Sequence, residues 1–236
     1  MSILILLAAA LLPAIILWCY IWKQDPQPEP TSWLVKATLL GVCIVIPVIP
    51  AESLIQYCLF GEEGSSTLFG TTVQSFFVAA LPEEGFKLLA LWLVLRKNPY
   101  FDEHFDGIVY AVCVGLGFAA IENVAYIVSN EENWLTVAIS RALLAVPGHY
   151  AFAVLMGYYY SVYHFVDHTP KAAACVLLVP VAAHGIYDAI ALGAVVNPIV
   201  GSVGTLLLIY FCVKVHKFAK AKILAQIEKD KNGYNA

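Results

Sequence analysis

The sequence predicts an all-α fold, a polytopic membrane bundle of about seven transmembrane helices. Three observations point there: the composition, the length of the apolar runs, and the placement of the basic residues. Of the 236 residues, 61% are hydrophobic and 13% charged, and the mean hydropathy is +0.77. A soluble domain carries about 25% charged residues, so half of the usual charge is missing. A helical span needs about 20 mainly apolar residues, and such runs recur along the chain. They are too long and continuous for the alternating strands of an outer-membrane barrel.

Seven spans are predicted, at 2–22, 35–60, 70–95, 105–129, 135–163, 172–193 and 198–215. The first lacks a basic leader region and an A-x-A cleavage pattern, which predicts a retained anchor. Residues 23–32, KQDPQPEPTS, form a proline-rich extended connector. The predicted organisation is therefore an anchor and connector (1–34), a transmembrane core (35–215) and a basic tail (216–236). Of the 13 Lys and Arg residues, Lys23, Lys36, Arg96, Lys97 and Lys171 flank alternate connections, and six lysines crowd 214–231. The intervening connections have none. The positive-inside rule then predicts the N-terminus outside and the C-terminus inside. The tail puts Val215, Phe218, Ala219, Ile223 and Ile227 near one helical face, which predicts a basic helix resting on the anionic inner leaflet. Glu62, Glu63, Glu131 and Glu132 are read as solvated loop residues. His104 and Asp106, at the interface before the fourth span, are read as solvated too. The six cysteines show no CxxC or CxxH spacing, and no disulfide framework or thiolate metal site is predicted. Nothing points to nucleic acid.

Two basic residues, Lys87 and Arg141, fall inside spans, and with them a set of acids and imidazoles. Residues 81–92 read LPEEGFKLLALW. A charge at the centre of a span costs roughly 2.5–3.5 kcal/mol, whereas each Leu or Ile returns only about 0.3–0.6. Lys87 is i+4 from Glu83 and i+3 from Glu84, so one ammonium can serve both carboxylates. One acid is still left over. The fourth span adds Glu122, the fifth Arg141 and His149, and the sixth His184 and Asp188, which face one way at about 40° separation. Counted inward from the membrane faces, Glu83, Glu84, His149 and His184 lie near mid-span. Glu122 and Asp188 lie about one turn, and Arg141 about two turns, toward the outside. Lipid offers such groups nothing, so they are predicted to meet inside the bundle. Pro82, Pro147 and Pro180 stand beside the same layer and each leaves a backbone carbonyl unpaired, which predicts a hydrated cavity.

Each residue also has a plainer reading. His149 alone would be a hydrogen-bonded helix contact, and Arg141 could snorkel to the outer surface. As a set, carboxylates and imidazoles in a wet pocket suit activation of water and stabilisation of an oxyanion. The same residues suit a divalent ion such as zinc, held by Glu83, Glu122, His149 and His184. A proton-coupled transporter or sensor would use them as a relay, but the paired discontinuous segments of many transporters are missing.

Glu83-Glu84-x-x-Lys87, Phe118-x-x-x-Glu122 and His184-x-x-x-Asp188, in that order, resemble the motifs of the PrsW family of bacterial intramembrane proteases. Phe105-Asp106-Gly107-Ile108-Val109-Tyr110 leading into Gly115-Leu116-Gly117-Phe118, and Pro147-Gly148-His149, are similar to that family as well. The resemblance covers roughly 75–190. It implies a multi-pass protease that makes the first cut in a single-pass, membrane-anchored anti-sigma factor. It also implies distant similarity to the CAAX prenyl-protease and bacteriocin-immunity superfamily, with motifs EExxxR, FxxxH and HxxxN/D. Here Lys87 comes one residue early and Glu122 replaces a histidine. By that resemblance Glu83 is the general base and His184 with Asp188 the oxyanion stabilisers. Glu84 and Glu122 complete the catalytic set, and Lys87, His149, Arg141 and Phe118 support it. No cofactor is required on this reading, and the metal-dependent version stands second.

Overall fold

The computed structural model describes residues 3–61 and 65–233; Glu62 and Glu63 lie outside them. Among the described residues there is no strand. The helices are α1 (Ile3–Gln24), α2 (Thr31–Cys43), α3 (Val45–Phe60), α4 (Leu68–Val73), α5 (Leu81–Leu95), α6 (Asp106–Ser129), α7 (Trp134–Ser140), α8 (Val146–Phe165), α9 (Pro170–Val196) and α10 (Pro198–Gly233). Five stretches are long and apolar enough to cross a membrane: Ile3–Gln24, Thr31–Phe60, Asp106–Ser129, Glu131–Phe165 and Pro170–Val196. The expected span 70–95 falls on α4, a π-helical turn (Gln74–Ala80) and α5, and 198–215 is the first half of α10.

Local chemistry sets several of the helix ends. Pro26, Pro28 and Pro30 push their preceding residues out of the helical region and separate α1 from α2. Gly61, at φ 69°, closes α3 in a conformation that glycine adopts without penalty. At the start of α9, Thr169 Oγ1 accepts from the Ala172 N–H at 3.3 Å and Pro170 takes the first helical position, where its missing N–H costs nothing.

The central helix is α6, buried on every side from Asp106 to Ala119, as expected of a helix apolar all round. Small residues let its neighbours come close. A Cβ on Gly41 of α2 would run into the Val114 backbone, and one on Gly157 of α8 into the backbone of Gly107 and Ile108. These two crossings hold α2 and α8 close against α6.

The structure corrects two expectations. The apolar stripe of the tail faces protein. Ala219 and Ile223 are buried, and Val215 and Ile227 pack against the same core, while Phe218 stays exposed. A helical apolar stripe docks equally well on lipid or protein, so its spacing cannot distinguish them. The second concerns Asp106 and His104. Asp106 is fully buried and accepts the N–H groups of Asp102 (3.1 Å) and Glu103 (2.7 Å). Asp230 accepts the N–H groups of His104 and Phe105, each at 2.8 Å. Both carboxylates cap backbone donors ahead of α6, where solvent had been expected to do so.

Replacing Gly157 by valine forces α8 away from a backbone that cannot yield. We expect a loss of about 1–3 kcal/mol, read as a lower thermal midpoint in detergent. A surface change such as Glu132→Gln should leave the midpoint unmoved.

Candidate active site

Two of the three prolines reshape the backbone next to the polar layer. A proline in a helix clashes with the carbonyl four residues back and cannot bond to it. Ahead of Pro82 the chain widens into the π-turn Gln74–Ala80, which contains Val78. Ahead of Pro147 it widens into Arg141–Ala145, which contains Leu143. Such widened turns recur at functional sites. Pro180 is accommodated within α9 with no such widening. Both π-turns contribute to the wall of one cavity of about 670 Å³, to which Gln74, Val78, Arg141 and Ala145 all belong.

The same cavity is lined by Glu83, Phe118, Glu122, His149, His184 and Asp188. Helices α5, α6, α8 and α9 therefore bring every expected catalytic residue except Glu84 to one space. Glu84 sits behind it, with no exposed surface.

Lys87 is the hub. Its Nζ donates to Glu83 Oε2 (2.9 Å), Glu84 Oε1 (2.8 Å) and His149 Nδ1 (3.2 Å), and lies 4.2 Å from the centre of the Phe118 ring. An ammonium only donates, so Nδ1 of His149 accepts. That leaves Nε2–H to donate to Glu122 Oε2 at 2.8 Å. Arg141 Nη2 also donates to Glu122 Oε2 (2.8 Å), and Arg141 Nε to Asn123 Oδ1 (2.7 Å). The guanidinium lies over the Tyr126 ring at 3.9 Å. Arg141 is thus held toward the site rather than toward a membrane surface.

His184 lies between two carboxylates. Its Nδ1 is 3.0 Å from Glu84 Oε1 and its Nε2 is 3.3 Å from Asp188 Oδ2. With both acids ionised, only an imidazolium satisfies them, because carboxylates accept and do not donate. The ring stacks on Phe152 at 5.0 Å and stands edge-on to His149 at 5.2 Å.

Two contributors escaped sequence reasoning. Glu52 of α3 lines the cavity; its signal was available, an acid in an apolar run two residues after Pro50. Asn123 is fully buried and ties Arg141 to the backbone of α1, its Nδ2 donating to the Ala10 carbonyl at 2.7 Å. A neutral amide in an apolar run carries no comparable signal.

Glu83, Glu84, His149 and His184 each offer a ligand atom within 4.8 Å of the others. Glu84 thereby holds the place that the sequence reading gave to Glu122. Carboxylate and imidazole donors are of the kind zinc takes, and the buried Glu84 Oε2 has no hydrogen-bond partner. Yet the Lys87 ammonium bonds three of the four residues, and an imidazolium at His184 has no lone pair to give. With these side chains so arranged, a divalent ion would have to displace Lys87 from the lone pairs it now holds.

Residues 29–215 match the model of the family described as PrsW family intramembrane metalloprotease. The chain belongs to the PrsW family. It is 34% identical to Protease PrsW of Oceanobacillus iheyensis over 80% of this chain and 83% of that one. It is 39% identical to Protease PrsW of Clostridioides difficile over 76% of each, and 33% identical to that of Bacillus subtilis over 78% and 81%. No solved structure matches. The matched region takes in α2 through the first half of α10, so every helix that lines the cavity is PrsW sequence. The protein is an intramembrane protease.

Within this PrsW site, Lys87→Met would leave two buried carboxylates without their cation. We expect it to cost about 3–5 kcal/mol and to lower the thermal midpoint in detergent sharply. Adding Glu84→Gln removes one orphaned charge and should recover part of that loss. Simple additivity of the two substitutions would contradict the hub geometry.

Proposed function

We propose that this protease hydrolyses a peptide bond in a single-pass membrane protein with a water molecule activated by Glu83, and that the resident cation of its site is Lys87. The observation that carries this is the single cavity in which Glu83, Glu122, His149, His184 and Asp188 meet, within walls otherwise largely apolar. Glu83 faces that space while its neighbour Glu84 does not. Glu83 removes a proton from water, and the hydroxide oxygen bonds to the scissile carbonyl carbon. His184, whose 3.3 Å contact with Asp188 is a loose one, donates to the resulting oxyanion. When the C–N bond breaks, the proton held by Glu83 passes to the leaving amine. Glu84 is a positioning residue, holding Lys87 and His184. Glu122 orients His149 and Arg141. The substrate class implied by the family resemblance is a membrane-anchored anti-sigma factor, cut first by this enzyme.

A metal-dependent version draws support from the four clustered donors and from the family's description. Chelation separates the two readings. Purified enzyme should keep its activity on a single-span fluorescent substrate after treatment with phenanthroline and should hold far less than one zinc per chain. A stoichiometric zinc lost together with activity would transfer the reaction to the metal reading.

Glu83→Ala should lower cleavage at least about 10²-fold while the protein remains monodisperse in detergent. Full activity in that variant would remove the general base. Uptake or current that depends on pH, without cleavage, would support a transporter instead.

A further inference from the structure

A second group of acids lies away from the active-site cavity, where the 25–30 connector meets the start of α6. Glu29, Asp102 and Asp106 each offer a carboxylate oxygen, all within 4.8 Å of one another. Asp102 is exposed, whereas Glu29 and Asp106 are buried. A separate cavity of about 430 Å³ opens beside Glu29 and Asp102, lined also by Gln27, Tyr100 and Glu103.

The protein satisfies these acids only in part. Tyr110 donates to Glu29 Oε2, and Asp106 Oδ2 takes two backbone N–H groups. Asp106 Oδ1 is buried with no hydrogen-bond partner, and so is Oδ2 of Asp25, an acid outside the group whose charge both Glu29 and Asp106 feel. A buried carboxylate oxygen left without a donor is costly, and a hard cation beside Asp106 Oδ1 removes that cost. The set is all oxygen, with neither imidazole nor thiolate, and so favours ions of the Mg²⁺, Mn²⁺ or Ca²⁺ class over zinc.

We propose that Glu29, Asp102 and Asp106 form a divalent-cation site, separate from the active site, that clamps the 25–30 connector to the N-terminal end of α6. The ion ties two segments far apart in sequence at the foot of the helix that carries Phe118 and Glu122.

The probe is MnCl₂, titrated into full-length protein in detergent, with free Mn²⁺ read by electron paramagnetic resonance. Wild type should bind one Mn²⁺ per chain, displaced by excess Mg²⁺ or Ca²⁺. His184→Ala, which alters the active-site donors, should bind it unchanged. Asp102→Asn and Glu29→Gln should each weaken binding about tenfold or more. Asp106→Asn disturbs two backbone caps as well, so the exposed Asp102 position gives the decisive variant. Equal Mn²⁺ binding by wild type, Asp102→Asn and Glu29→Gln would overturn the site. So would wild type that binds no Mn²⁺, which would leave the buried acids sharing a proton.

Discussion

The polar cavity depends on one constraint: charges within a membrane bundle must be satisfied by other parts of the protein. Lys87 meets it by bonding Glu83 and Glu84 on its own helix and His149 on α8. From there the network extends in both directions. His149 passes to Glu122 and on to Arg141, Asn123 and the backbone of α1. Glu84 passes to His184 and Asp188. Five helices are thereby joined through polar contacts, whose strength in a low dielectric is matched by the cost of leaving any member unpaired.

Such a network needs room as well as partners, and the backbone provides it. The two π-turns ahead of Pro82 and Pro147 widen α5 and α8 where they border the cavity. At the crossings of α6 the requirement is reversed. Glycines there bring the helices together, so that α6 can present Phe118 and Glu122 to the site from a rigid position. Loosened turns and tight crossings together define a cavity in a wall that is otherwise closely packed.

Much of this was legible in the chain. The Glu83, Glu84 and Lys87 spacing dictates their contact on a single helix turn, and counting residues along apolar runs predicts the meeting of His149, His184 and Glu122, which line one cavity. Prolines next to the polar layer marked where the backbone would open. What could not be read depends on which neighbour covers a given face. The stripe from Val215 to Ile227 has the same period whether it meets lipid or protein, and only the fold assigns it to protein. Asp106 looks like an interfacial acid until the folded 102–106 segment turns its own N–H groups onto it. Glu52 carried a signal as plain as that of Glu122, an acid within an apolar run, but lay outside every recognised motif.

The doubled glutamate raises a further physical point. Adjacent residues on a helix point about 100° apart, and Glu83 and Glu84 meet different surroundings. Glu83 lines the cavity, and Glu84 turns inward, with no exposed surface, to meet Lys87 and His184. A carboxylate in the cavity can exchange protons with water, whereas one enclosed by an ammonium and an imidazole is better suited to fixing the positions of both. The acid left over when a single lysine serves two glutamates is therefore not surplus. It anchors α9 to α5 through His184, whose ring Asp188 and Phe152 also hold toward the cavity that Glu83 faces.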